Sequence, residues 1–74
     1  MDARFKLEKG DRIELEDYAT VIKDNGDKVD YMWDNGDLNW VWKINIGKVF
    51  RNGKQVYGKL VTFVNELEKF NQTL

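Results

Sequence analysis

Apolar and polar positions alternate along most of the chain between residues 12 and 57, and three Asn-Gly dipeptides interrupt the alternation. A period of two is typical of β-strands with one buried face. The dipeptides are Asn25-Gly26, Asn35-Gly36 and Asn52-Gly53. Asn-Gly is favoured in two-residue hairpin turns because both central residues of a type I′ turn need a positive φ. The pattern therefore predicts three hairpins, the first two of which join strands into a meander over residues 18–43.

The two turns of the meander predict which residues pair across it, since a two-residue turn fixes the register of its hairpin. The predicted pairs place nine mostly apolar residues on one face: Tyr18, Thr20, Ile22, Val29, Tyr31, Trp33, Leu38, Trp40 and Trp42. The other face receives a mixed set: Ala19, Val21, Lys23, Lys28, Asp30, Met32, Asn39, Val41 and Lys43. We therefore expect five aromatic side chains on the first face, where they form either the core or a binding surface.

Two more segments complete the predicted sheet, and the tail changes its periodicity. Residues 12–16 alternate as one strand, and residues 48–51 and 54–57 flank the third turn. From residue 60 onward the apolar positions follow a helical spacing: Leu60, Val61, Phe63, Val64, Leu67 and Phe70. We predict a single domain over 1–74 that is mainly β, with an antiparallel sheet of about five strands that is curled or barrel-like. An amphipathic C-terminal α-helix over about 60–71 is expected to pack on the sheet.

The chain of 74 residues is long enough for one small domain with a thin core. It contains ten aromatic residues, so a few of them can fill most of that core. The absence of Cys rules out disulfides and thiolate metal sites, and no apolar run approaches the length of a membrane span. The first residues lack the apolar pattern of a secretory signal. These features predict a cytoplasmic, intracellular protein without a membrane partner.

Catalytic chemistry has little support in the composition. The chain has no His, Cys or Ser, so it lacks an imidazole base and the usual pairs of nucleophile and base. The repeated Asp-Asn-Gly-Asp at 24–27 and 34–37 lacks the ligand spacing of an EF-hand loop and fits turns instead. We expect a protein that is not an enzyme, has no catalytic residues, and needs no metal or other cofactor.

A formal net charge of −1 conceals two segments of opposite sign. Residues 8–37 contain ten acidic and four basic side chains, whereas residues 38–60 contain five basic and no acidic ones. The second segment includes the third turn and defines a basic hairpin over 43–59, whose candidate contact residues are Lys43, Lys48, Phe50, Arg51, Lys54 and Tyr57. Such a mixture of bases and aromatics could bind a protein partner or nucleic acid, or could be a solvated surface.

Residues 8–44 resemble the Tudor-type, SH3-like small barrels. Residues 8–13, Glu-Lys-Gly-Asp-Arg-Ile, are similar to the first strand of that family, and residues 18–22, Tyr-Ala-Thr-Val-Ile, to the second. Residues 29–36, Val-Asp-Tyr-Met-Trp-Asp-Asn-Gly, resemble the third strand with its turn, and residues 38–42 take the place of the fourth. The resemblance implies an SH3-like fold. In members that read methyl-lysine it also implies an aromatic cage, whose positions here are Tyr18, Trp33 and Trp40.

These features support three functional hypotheses. We expect first a non-catalytic binding or regulatory module that acts on a protein partner through a charged or aromatic surface. The alternatives are a nucleic-acid-binding small barrel that uses the basic hairpin, and a methyl-lysine or methyl-arginine reader that uses the aromatic cage. An open sheet leaves unpaired edges, so the chain is expected to be either a monomer or a homodimer joined through a sheet edge.

Overall fold

The computed structural model describes residues 1–58 and contains six β-strands. They are β1 (Arg12–Glu14), β2 (Tyr18–Asp24), β3 (Lys28–Trp33), β4 (Leu38–Trp42), β5 (Val49–Arg51) and β6 (Lys54–Tyr57). A 3₁₀ helix, Lys43–Asn45, lies between β4 and β5. The predicted α-helix over about 60–71 falls outside the described residues.

The six strands form one antiparallel sheet in the order β4-β3-β2-β1-β5-β6. Strands β1 to β4 form a meander, whereas β5 does not continue beyond β4 but returns to pair with β1. Strands β4 and β6 are therefore the two edges of the sheet. The structure confirms the predicted antiparallel, mainly β fold, with six strands in place of about five.

The third Asn-Gly dipeptide forms the predicted turn between β5 and β6. Asn52 and Gly53 both have positive φ angles, 55° and 79°, as a type I′ turn requires. Arg51 pairs with Lys54 across this two-residue turn. The predicted hairpin is confirmed, although its ladder shifts register once further from the turn.

The turn between β3 and β4 differs from the prediction by one residue. The Gly36 N–H donates to the carbonyl of Trp33 (2.9 Å), and the Trp33 N–H donates to the carbonyl of Asp37 (2.8 Å), so the loop consists of residues 34–36. Gly36 has a φ of 96°, whereas the Asn before it has no positive φ. A three-residue loop that ends in a Gly of positive φ is a common hairpin connection. A two-residue turn at Asn35-Gly36 would pair Leu38 with Trp33. That predicted pairing is wrong, because Leu38 pairs with Met32.

The turn between β2 and β3 is also displaced by one residue. The Asn25 N–H donates to the carbonyl of Lys28 (2.8 Å), which leaves the two residues between them at the centre of the turn. The Asp24 carboxylate accepts the Gly26 N–H (2.8 Å) and so helps to hold the turn in this position. A β-bulge at residue 22 shifts the register a second time. The predicted pairing across this hairpin is therefore wrong as well.

These shifts change which side chains share a face, because successive residues of a strand point to opposite sides of the sheet. Trp33 packs against the core, whereas Tyr18, Trp40 and Trp42 lie on the other face. The prediction of five aromatics on one face is wrong, since β2 and β4 turn the opposite residues to the core. The buried core consists of Leu7, Ile13, Ala19, Val21, Val29, Tyr31, Ile46 and Val49.

The N-terminal segment spans one end of the sheet. Its Asp2 N–H donates to the hydroxyl of Tyr57 in β6 (2.8 Å), and the Met1 amino group donates to the carbonyl of Ile44 just after β4 (2.8 Å). The ring of Phe5 lies 4.9 Å from that of Tyr57. The segment therefore links the two edge strands, which do not pair with each other. Within residues 1–58, no helix has the length and apolar character needed to cross a bilayer.

Candidate binding surface

Three large apolar side chains stand exposed on the edge strand β4. Leu38 is 71% exposed, Trp40 45% and Trp42 46%. They are alternate residues of one strand, so they form a row on one face, which we call the β4 stripe. The next apolar residue along the chain, Ile44, is also exposed. A row of this kind stands out because large apolar side chains normally enter the core of a small domain.

The two Trp rings of the β4 stripe are held in a defined arrangement. Trp40 and Trp42 meet edge to face, with their ring centroids 5.1 Å apart and an angle of 87° between the planes. The ammonium of Lys28, from the neighbouring strand β3, lies 4.6 Å from the centroid of Trp40 and 5.2 Å from that of Trp42. Edge-to-face and cation–π contacts both favour such geometry. The stripe is therefore preorganised, which lowers the entropic cost of binding a partner.

Two hollows flank the Trp pair. One, of about 360 Å³, is lined by residues of β2, β3 and β4 that include Ile22, Asp30 and Trp40. The other, of about 260 Å³, lies between Trp42 and Ile44 and also includes Ala3 and Asp27. Both hollows are mainly apolar. Each also contains one carboxylate, which is Asp30 of β3 in the first hollow and Asp27 of the turn between β2 and β3 in the second. Each is large enough to receive an apolar side chain of a partner.

The three predicted cage positions do not come together as one site. Tyr18 and Trp33 line the same hollow, of about 320 Å³, at the end of β3. Trp40 lies beside a different hollow on the edge strand. The register shift also places Trp33 and Trp40 on opposite faces of the sheet.

The hollow between Tyr18 and Trp33 is acidic as well as aromatic. Its other lining residues are Glu16, Asp17, Asp34 and Asn35. Asp34 accepts a hydrogen bond from the Arg12 guanidinium (2.6 Å), and this bond, with the charge of Arg12, holds the pKa of Asp34 below its ordinary value. The site thus combines two aromatic rings with negative charge, which suits a cationic ligand.

The basic hairpin does not present all of its bases to solvent. Lys43 is 1% exposed, and its ammonium donates to Asp24 Oδ2 (2.8 Å) and to the carbonyls of Phe5 (3.0 Å) and Ala3 (3.3 Å). Burial raises the pKa of Asp24. The hydrogen bonds from Lys43 and from two backbone amides, together with the charge of Lys43, lower it by more, so the pKa lies below the ordinary value. Lys43 is therefore part of the interior.

Arg51 and Tyr57 of the same hairpin also have internal partners. Arg51 donates two hydrogen bonds of 2.8 Å to the buried carboxylate of Asp11 and forms an ion pair with Glu8 (3.1 Å). Burial raises the pKa of Asp11, but the Arg51 hydrogen bonds, the Glu8 amide and the charge of Arg51 bring it below the ordinary value. Tyr57 packs on Phe5. Two bases of residues 48–57 remain accessible to solvent. They are Lys48, which is half-buried, and Lys54, which is exposed.

Phe50, the remaining candidate of the basic hairpin, is half-buried and packs on the ring of Tyr18 at 5.9 Å between centroids.

The sequence prediction did not include Leu38 and Trp42 among the contact residues. The signal for them was present in the sequence: residues 38–42, Leu-Asn-Trp-Val-Trp, contain no charge, no Gly and no Pro. An uncharged apolar strand indicates a contact surface only when it lies at the edge of a sheet, and the sequence pattern did not show that β4 is an edge.

The chain matches no protein-family model, no curated protein and no solved structure. In the part of the chain that the structure describes, no cluster of three or more His, Cys, Asp or Glu side chains is arranged to hold a metal ion. The candidate surface is therefore defined by its own geometry, which is aromatic, apolar and set on a sheet edge.

Proposed function

We propose that this protein is a non-catalytic binding module that holds a protein partner on the β4 stripe. The observation that carries the proposal is the exposure of Leu38, Trp40 and Trp42 in a row on an edge strand. Covering the exposed half of one Trp removes on the order of 100 Å² from water and contributes about 2.5 kcal/mol. Two such rings beside each other form the kind of anchor that dominates protein interfaces.

A protein partner suits this surface better than a small polar ligand. The two hollows beside Trp40 and Trp42 accept apolar side chains, and the row of rings between them offers a flat contact area. Asp30 in one hollow and Asp27 in the other favour a base next to the apolar group of the partner. The stripe therefore fits a partner segment with exposed apolar residues and nearby Lys or Arg.

Affinity capture from the native host lysate tests this proposal. Bait proteins are the wild type, Trp40→Ser with Trp42→Ser, and, as a matched control, Lys48→Glu with Lys54→Glu in the basic hairpin. We expect one set of captured proteins to be lost with the Trp variant and retained with the hairpin variant. Capture that survives the loss of both Trp side chains contradicts the proposal, and loss only with the hairpin variant favours a charged surface, including nucleic-acid binding.

A second candidate function is favoured by the hollow between Tyr18 and Trp33. Its aromatic rings and the carboxylates of Glu16 and Asp17 suit a methylated lysine or arginine, and the reader hypothesis stands on these residues without Trp40. Titration of a trimethyl-lysine peptide, followed by NMR of the Trp33 indole, is the test. Glu16→Gln should weaken the response, and an unmethylated peptide should give less. An unchanged Trp33 signal at millimolar peptide would remove this candidate.

For the finer architecture we propose an SH3-like, Tudor-like small barrel with a C-terminal helix over about 60–71. The return of β5 to β1 and the N-terminal link between Tyr57 and the end of β4 support a strongly curled sheet. The apolar spacing from Leu60 to Phe70 supports the helix. Circular dichroism of the full chain and of a variant ending at residue 58 would show whether helical signal disappears with the tail. A cytoplasmic location is part of the same proposal.

A further inference from the structure

The open side of β4 can be identified from the hydrogen bonds on its other side. Trp33 donates to Asp37 and Lys43 donates to Asp27, so the odd-numbered residues of this segment direct their backbone groups to β3. In an antiparallel ladder, bonded and non-bonded residues alternate along the strand. The even-numbered residues, which are the β4 stripe, therefore direct their N–H and C=O groups away from the sheet.

Within residues 1–58 this edge lacks the devices that keep sheet edges from pairing. Over residues 38–42 it has no charged side chain, no Pro and no Gly, and its ladder with β3 is regular. The opposite edge, β6, begins with exposed Lys54 and has an irregular ladder with β5. Charges and bulges are the usual protection of an edge. In the part of the chain that the structure describes, β6 is thus a protected edge and β4 an open one.

Among the described residues, the partner of the outward N–H of Trp40 is a local one. It donates to Oδ1 of its neighbour Asn39 at 2.8 Å. Side chains that bond to adjacent backbone in this way compete with a strand partner and are readily replaced by one. The bond therefore marks a donor that a new strand could take over.

We propose that β4 pairs antiparallel with β4 of a second copy of the chain, with the two-fold axis at Trp40. This deepens the proposed function and rests on it, since the dimer joins two β4 stripes into one larger binding surface. Trp40 then lies opposite Trp40 of the second copy, and Leu38 lies opposite Trp42. The three outward residues of each strand bond in pairs, which gives six backbone hydrogen bonds across the axis.

Charge favours a second copy as the occupant of this edge. The paired strands carry no charge, so no like charges stand opposite one another. Asp30 of each copy lies one strand behind Trp40. With strands about 4.8 Å apart, the two Asp30 side chains are about 14 Å from each other, beyond the screening length at physiological salt. Lys28 of one copy lies in a row with Leu38 and Met32 of the other, which are uncharged.

Sedimentation equilibrium of the full chain over a wide concentration range tests the pairing. The wild type should approach twice the monomer mass as concentration rises. Leu38→Pro removes one outward N–H and leaves the bonds to β3 in place, so it should stay monomeric. Val56→Lys, on the other edge of the sheet, should still dimerise. A wild type that is monomeric throughout, or a Leu38→Pro variant that dimerises like the wild type, overturns the proposal.

A disulfide tests the register and does not depend on the proline variant folding. The chain has no Cys, so Trp40→Cys introduces one thiol, which the axis places opposite its own copy at a Cα separation of about 5.5 Å. In Leu38→Cys the two thiols lie about 13 Å apart along the strands, too far for a bond. We expect a covalent dimer from the first variant on mild oxidation and much less from the second. Equal yields, or none from Trp40→Cys, contradict the proposed axis.

The two proposals fail in different ways. A chain that is monomeric but loses its captured partner with the Trp40→Ser and Trp42→Ser variant refutes the dimer and supports the binding surface. A chain that dimerises as described but captures the same proteins without both Trp side chains supports the dimer and refutes the partner site. If residues 59–74 protect the stripe, the chain should be monomeric in sedimentation equilibrium and Trp40→Cys should give no covalent dimer. That result would overturn the dimer.

Discussion

The ion pair between Asp24 and Lys43 is expected to be the most sensitive polar contact in the fold. Replacement of Asp24 by Ala leaves the Lys43 ammonium 1% exposed, with two carbonyl acceptors and no counter-charge. Breaking a buried pair by removal of one partner costs about 3–5 kcal/mol. A chain of 74 residues has a total stability of about 4–11 kcal/mol, at roughly 0.05–0.15 kcal/mol per residue. Asp24→Ala should therefore remove a large part of the stability.

Urea unfolding followed by Trp fluorescence measures this loss. With a slope of about 1 kcal/mol per molar urea for a small domain, the midpoint should fall by about 3 M or more. Lys43→Met is the first control, since Asp24 keeps its bonds from the Leu7 and Gly26 amides and the expected cost is only about 1–3 kcal/mol. The second control combines both replacements and should be more stable than Asp24→Ala alone, because no charge is left buried.

Two results would refute this reasoning. One is a cost of less than about 1 kcal/mol for Asp24→Ala, which is the level of an exposed ion pair. The other is a double variant whose loss equals the sum of the two single losses within about 0.5 kcal/mol, which is the behaviour of independent sites. Either would mean that the Lys43 ammonium reaches water and does not depend on Asp24.

Three further predictions concern acid, a glycine and the Trp side chains. The pKa values of Asp11 and Asp24 are lowered in the folded state, so the unfolded chain takes up protons first as the pH falls. The contribution of these two carboxylates to stability is therefore complete above about pH 4 and is lost as the pH falls through their folded pKa values. Urea midpoints measured at several pH values should show this loss, and the change should be smaller in Asp24→Asn. Gly58→Ala should lower stability by at least about 1–2 kcal/mol in thermal unfolding, because Gly58 has a φ of 110° and an added Cβ would lie 2.9 Å from a backbone carbon of the segment before β5. Acrylamide should quench the wild type strongly, and Trp40→Phe should reduce the quenchable fraction more than Trp33→Phe does; equal reductions would contradict the exposure of the β4 stripe.

The sequence predicted the elements of this fold better than their register. Strand positions and antiparallel pairing follow from alternation and turn residues, and the turn at Asn52-Gly53 has the predicted geometry. The Asn35-Gly36 dipeptide instead occupies the last two positions of a three-residue loop. Both loops accept the same two residues, so the dipeptide cannot distinguish them. An error of one residue at this loop was enough to exchange the faces of β4, and the β-bulge at residue 22 exchanges the faces of the part of β2 before it.

The candidate site depended on contacts between residues that are distant in the chain. Lys43 was predicted as a contact residue because it belongs to the segment 38–60, which contains five bases and no acid, and nothing local indicates that Asp24 and the N-terminal carbonyls surround it. Arg51 was predicted in the same way, although the acid that binds it, Asp11, lies 40 residues earlier. The open edge likewise follows from β5 pairing with β1, which no short pattern specifies.

The β-bulge at residue 22 has a consequence for how this sequence could vary through evolution. Beyond the bulge, Asp24 pairs with Val29 and so lies on the core side, where it meets Lys43. If the same residues paired with β3 without a bulge, the preceding Lys23 would lie opposite Val29 in that place and would oppose Lys43 with a like charge. At this chain length the bulge, the acid and the lysine therefore depend on one another. A homologous chain of the same length whose β2 pairs without the bulge should have lost the acid and the lysine together, whereas one that lacks only the bulged residue should keep both, because its acid still pairs with Val29.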